Sequence, residues 1–148
     1  MGQVKPIPEG YRTVTPFLSV NGAREAIAFY KQAFGAEERA IMPGPDGKVM
    51  HSEIKIGDSI VMLADAMMGP PSQSIVHLYV PDVDATWAKA TAAGCQVVMP
   101  LADQFWGDRY GIVSDKWGNR WSMATHKEDL SPDEMKRRGD EAMKQRKG

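Results

Sequence analysis

Two short stretches carry side chains that could do chemistry together. In VMHSEIKI (49–56), His51 and Glu53 are two residues apart, and in SIVHLYV (74–80) the same spacing separates His77 from Tyr79. On a strand that spacing puts both side chains on one face, with Cα atoms roughly 6.5–7 Å apart. An imidazole and a carboxylate so placed can share a cation, move a proton, or bond to a ligand. A third candidate is FWGDRYGIVSDKWGNRW (105–121), which holds three of the four tryptophans and offers Trp106, Arg109 and Tyr110 to a ligand. Other chemistries find no footing: the chain has no P-loop, GxGxxG, GxSxG or HExxH. Cys95 has no neighbouring His or basic residue to make a thiolate, and alone it makes no internal disulfide. His126 ends a strand ahead of a charged segment and suits a surface or capping role.

These residues need elements to hold them. TVTPFLSV (13–20) alternates as a strand does. Ala23, Ala26, Ile27, Tyr30, Ala33 and Phe34 follow at helical spacing, with Gly35 as C-cap. A polar strand (36–42), a PGPDGK turn (43–48) and a hairpin of 49–56 with 59–65 come next. After the Gly-Pro-Pro linker the order returns: a strand at 74–80, and a helix capped by Asp82 or Asp84 with the stripe Val83, Trp87, Ala90 and Gly94. Strands at 95–101, 108–115 and 120–126 complete it. The halves overlay with Thr15 on His77 at an offset of 62 and Met62 on Ser122 at an offset of 60. Ser131, Pro132 and Glu134 then open a short charged helix, expected to fray. The predicted divisions are an N-terminal extension (1–11), a first βαβββ module (12–66), a linker (67–74), a second module (75–126) and a charged tail (127–148).

With 148 residues, 43% hydrophobic and 25% charged, the chain has the composition of an ordinary globular protein. A net charge of −1 argues against nucleic acid or an anionic membrane as partner. The N-terminus does not read as a signal peptide, no apolar run approaches the roughly 18 residues of a membrane span, and cytoplasmic location is the expectation.

On these paired modules, and on VMHSEIKIGDSIVMLAD and WGDRYGIVSDKWGNRWSMATHKEDLSPDEM, the chain resembles the vicinal oxygen chelate (VOC) superfamily over residues 12–126. That is the group of glyoxalase I, bleomycin-resistance proteins and extradiol dioxygenases, and the two stretches are similar to its PhnB-like branch. The resemblance implies an α+β fold, a curved mixed sheet around a ligand cavity with helices on the convex face. It also implies a frequent homodimer, in which some members build the cavity from modules of two chains.

Metal-dependent members hold a divalent ion with ligands from the first and last strand of each module. Here those positions are expected at Thr15, Met62, His77 and Ser122, and only His77 is a good ligand. The leading expectation is therefore a protein without the usual metal or other cofactor. It would bind a small organic molecule with Phe17, His51, Glu53, Met62, His77, Tyr79, Trp106, Arg109, Tyr110 and Ser122. The alternative is a metal-dependent lyase, isomerase or dioxygenase holding Zn, Mn, Ni or Fe at a shifted site of His51, Glu53 and His77, the three candidate catalytic residues. A third class is an interaction module that uses the charged C-terminal helix.

Overall fold

In the computed structural model, which describes residues 3–147, the chain forms two four-stranded mixed sheets and three helices. The first module holds β1 (Phe17–Val20), α1 (Ala23–Phe34), β2 (Glu37–Pro43), β3 (Val49–Ile56) and β4 (Ser59–Asp65). The second holds β5 (Ile75–Tyr79), α2 (Val83–Ala93), β6 (Gln96–Asp103), β7 (Asp108–Ser114) and β8 (Arg120–His126), and α3 (Pro132–Lys147) follows. Strand order is β1-β4-β3-β2 in one sheet and β5-β8-β7-β6 in the other, so both modules repeat one topology. The first strand of each runs parallel to the last, and the remaining pairs are antiparallel.

Each sheet lays one face on helices. On β3, Ser52, Ile54 and Ile56 are buried while His51 and Glu53 are half-buried and Lys55 exposed, as the alternation predicts; at the start of the strand the pattern breaks, with Val49 buried and Met50 exposed. α1 packs on the first sheet, α2 on the second, and the two helices on each other. One apolar cluster therefore runs from Leu18 and Ile54 through Tyr30 and Phe34 to Met123 and Trp121. Burying such faces is the dominant favourable term of the fold, at about 25 cal/mol per Å².

Polar groups fasten the modules at three points. Asp65 accepts hydrogen bonds from the amides of Gly22, Ala23 and Val49, capping α1 from the end of β4. Burial opposes its charge, but those amides win and hold its carboxyl below the ordinary range. Asp82 caps α2 by accepting from the Ala85 amide. Asp115 joins the halves: Tyr30 of α1 donates its hydroxyl to Oδ2 at 2.5 Å, and Trp121 donates Nε1–H to the same oxygen at 2.9 Å. Trp117 stacks edge-on against Phe29 and Tyr30.

Some expectations are corrected. β1 is only four residues long, with Pro16 ahead of it. α3 runs 16 residues, straight through Gly139, held by ion pairs of Glu134 with Arg137 and Arg138 and of Arg138 with Glu128. The two offsets give way to one. β1 and β4 register Phe17 with Met62, and β5 and β8 register His77 with Ser122. The helices begin at Ala23 and Val83. The counterpart of His77 is therefore Phe17, and Thr15 falls outside the strand.

Candidate functional site

The face of each sheet turned from the helices is polar and aromatic. On the first, Phe17, His51, Glu53 and Met62 stand together: Phe17 and Met62 are register partners, as are Glu53 and Met62. The rings of Phe17 and His51 are 6.4 Å apart, and His51 Nε2 lies 3.4 Å from Glu53 Oε2. Phe17 is 51% exposed, a large apolar surface for a strand residue.

On the second face, His77 is central. Its Nδ1 lies 2.7 Å from Ser122 Oγ, in a hydrogen bond whose direction follows the ring tautomer. The ring meets Tyr79 edge-on at 4.6 Å and stacks with Tyr110 at 5.8 Å, and Trp106 meets Tyr110 edge-on at 5.3 Å. Partial burial lowers the His77 pKa, against a smaller opposite pull from Asp108, so the ring is neutral at pH 7.

Asp108, which sequence reasoning passed over, organises this face. It is 4% exposed. Its Oδ2 accepts from the Tyr79 hydroxyl at 2.8 Å and from Trp106 Nε1–H at 3.2 Å, and its Oδ1 accepts from His126 Nδ1–H at 2.7 Å. His126 Nε2–H donates in turn to Asp129 at 2.7 Å. Burial alone would raise the Asp108 pKa, but the bonds from His126, Tyr79 and Trp106 outweigh it and hold it low. The carboxylates of Asp108 and then Asp129 push His126 above its ordinary value, and with a carboxylate on each ring nitrogen it clamps Asp108 to Asp129 rather than standing as a bare surface group. Asp108 and His126 are register partners at the open end of the β7–β8 hairpin, and Trp106 lies in the turn just before β7.

Arg109 is corrected. It alternates with Gly111 and Val113 onto the helix side of β7 and pairs with Asp84 of α2 and with Asp103, at 3.0 and 3.3 Å. The shifted metal site is not assembled within the chain either. His51 and Glu53 lie on the first sheet and His77 on the second, and among the described residues no three His, Cys, Asp or Glu side chains converge to hold an ion.

The family's ordinary metal positions fail on donor chemistry. In the observed register they are Phe17, Met62, His77 and Ser122. That set is a ring, a thioether, one imidazole, and a hydroxyl already engaged by that imidazole at 2.7 Å. Thr15, the position expected from the sequence, donates its hydroxyl to the Arg12 carbonyl at 3.0 Å. Neither set suits a divalent ion. Cys95 is buried, and burial followed by the nearby Asp115 charge pushes its thiol up to about 11, so it is no nucleophile at neutral pH.

Two βαβββ modules of one repeated four-stranded topology, each sheet covered by a helix on one face, have the architecture of the VOC class of fold. Residues 12–123 match the model of the Glyoxalase/Bleomycin resistance protein/Dioxygenase superfamily, and the chain belongs to that superfamily. It is 41% identical over 134 residues to an uncharacterized protein of Mycobacterium tuberculosis, covering 82% of this chain and 79% of that one. TnmS3, an antibiotic binding protein from Streptomyces sp. CB03234, superposes with a TM-score of 0.61 at 25% identity, over 78% of this chain and 99% of that one. The PhnB protein from Bacillus cereus shares the fold, with a TM-score of 0.58 at 23% identity over 77% and 99% of the two chains.

Proposed function

We propose that this protein binds a small organic molecule, flat and largely apolar, between the ring-lined faces of its sheets, without a resident metal. The observation that carries the reading is the cluster of His77, Tyr79, Trp106 and Tyr110. These rings lie 4.6 to 5.8 Å apart, with Tyr79 and Trp106 fixed by one buried aspartate and His77 by Ser122, and are left open on the side away from the core. Aromatic rings held rigid by hydrogen bonds at their polar ends suit stacking on a flat ligand, and pre-organisation lowers the entropy lost on binding. The antibiotic binding protein among the structural neighbours supports a small-molecule ligand. A neutral His77 adds one hydrogen-bonding edge.

The two faces lie on opposite sides of the helical core. To enclose a ligand, Phe17 and Met62 of one copy must meet His77 and Tyr110 of another, so the binding form is a homodimer. Among the described residues no helix is long and apolar enough to cross a membrane; a cytoplasmic location is part of the proposal and is not drawn from that absence.

The test uses N-phenyl-1-naphthylamine, a neutral flat dye, with sedimentation to count chains. The expected result is a dimer whose dye affinity falls about tenfold in Tyr110→Ala and His77→Ala and is unchanged in Arg109→Ala. Dye binding indifferent to Tyr110 and His77 would overturn the proposal.

A further inference from the structure

The chain ahead of β1 does more than lead into the fold. Residues 6–13 have no helix or strand, yet they lie across the outer face of the first sheet and, with Thr15, Glu53 and Met62, line an open cavity of about 500 Å³. Most of this segment precedes residue 12, where the superfamily match begins, so the wall it builds is an addition to the two modules.

The segment is tied down. Pro6 and Pro8 fix their own φ angles, which reduces the entropy lost on ordering it. The Tyr11 amide donates to the Pro8 carbonyl at 3.0 Å, closing a turn through Gly10 at φ +86°. The Arg39 guanidinium sits 6.0 Å from the centre of the Tyr11 ring. Burial, and then the neighbouring Glu53 carboxylate, push the Tyr11 hydroxyl up to about 12.

The lining divides by chemistry. Pro6, Ile7 and Met62 supply apolar walls, while Tyr11, Thr15 and the Glu53 carboxylate supply the polar end. Thr15 has spent its proton on the Arg12 carbonyl, so it faces a ligand as an acceptor. Arg12, which also lines the cavity, lies 4.0 Å from Asp58, and the basic group beside Glu53 is the His51 imidazole at 3.4 Å, which carries charge only when protonated. Acceptors and a carboxylate at one end of an apolar slot select a donor that carries positive charge.

We infer that residues 6–13 form a strap that makes the first sheet a binding site for a small amphipathic amine, its ammonium on Glu53 and its apolar body between Ile7 and Met62. This rests on the reading that the outer sheet faces bind ligands, and it adds the strap as the element that sets specificity.

Tryptamine and indole-3-propionate test it, since they share a ring and carry opposite charges. Titration into the full-length protein is followed by calorimetry and by amide chemical shifts. Tryptamine should bind, moving the amides of residues 7–15 and 53, and indole-3-propionate should bind about tenfold more weakly or not at all. Glu53→Gln should weaken tryptamine about tenfold, and Ile7→Asn, which alters only the strap, should weaken it independently. Absence of tryptamine binding, equal binding of the two compounds, or indifference to both variants overturns the inference. Tryptamine binding that survives Glu53→Gln and Ile7→Asn but falls in His77→Ala overturns the strap alone and leaves the ring-lined face standing. Dye binding that ignores His77 and Tyr110 removes that face instead.

Discussion

Asp115 is the sharpest place to test how the modules are joined. Four donors converge on its carboxylate: the Tyr30 hydroxyl, Trp121 Nε1–H, and the amides of Trp117 and Asn119, at 2.5 to 3.0 Å. Tyr30, Trp121 and Asn119 are all 0% exposed. Tyr30→Phe removes one donor and leaves the carboxylate with three, and should cost about 1–2 kcal/mol, since bonds to charged groups contribute about 1.5–3 kcal/mol net. Asp115→Ala does the opposite. It strands three buried donors at about 1–3 kcal/mol each, a large part of the roughly 5–15 kcal/mol that holds a domain folded. In the double variant the stranded hydroxyl is gone, so it should be no less stable than Asp115→Ala alone. Urea unfolding followed by tryptophan fluorescence measures all four proteins, at one fixed concentration because association adds to apparent stability. A Tyr30→Phe protein within about 0.5 kcal/mol of wild type, or two variants whose costs simply add, would refute the reasoning.

Other outcomes follow from the same geometry. A Cβ at Gly111 would sit 2.6 Å from Trp87 Cζ3 and 2.9 Å from Leu101 Cα, so Gly111→Ala should cost about 1–3 kcal/mol in the same denaturation assay, and Trp87→Phe should recover part of it. His126 should titrate above 6.5 by NMR and move back toward that value in Asp108→Asn, because Asp108 is the larger cause of its shift. With its pKa raised in the folded state, His126 contributes stability that is complete below pH 6.5 and lost as pH rises through the raised value. A midpoint at or below 6.5 in wild type would count against the clamp. Elemental analysis of purified protein should find no stoichiometric Zn, Mn, Ni or Fe; a tightly held metal that disappears in His77→Ala would restore the metal-dependent reading.

Local pattern was enough for the elements and their order. Period-two alternation in 49–56 assigned Ser52 and Ile54 inward and His51 and Glu53 outward, because a strand offers its side chains only two directions. Helical spacing placed Ala23 to Phe34, and the glycine at its end took the left-handed turn that residue permits. The same local rules could have placed Arg109, since Tyr110 and Arg109 cannot share a strand face. Everything depending on register or on distant partners came only with the tertiary structure. Hydrogen bonding between strands 45 residues apart decided that Phe17, rather than Thr15, answers to His77. Asp108 became a hub because the hairpin brings Trp106 and His126 to it while β5 delivers Tyr79. The separation of His77 from His51 and Glu53 has the same origin. Spacing along the chain says which side chains share a strand face, but only the packing of α1 on α2 decides that the two faces point away from each other.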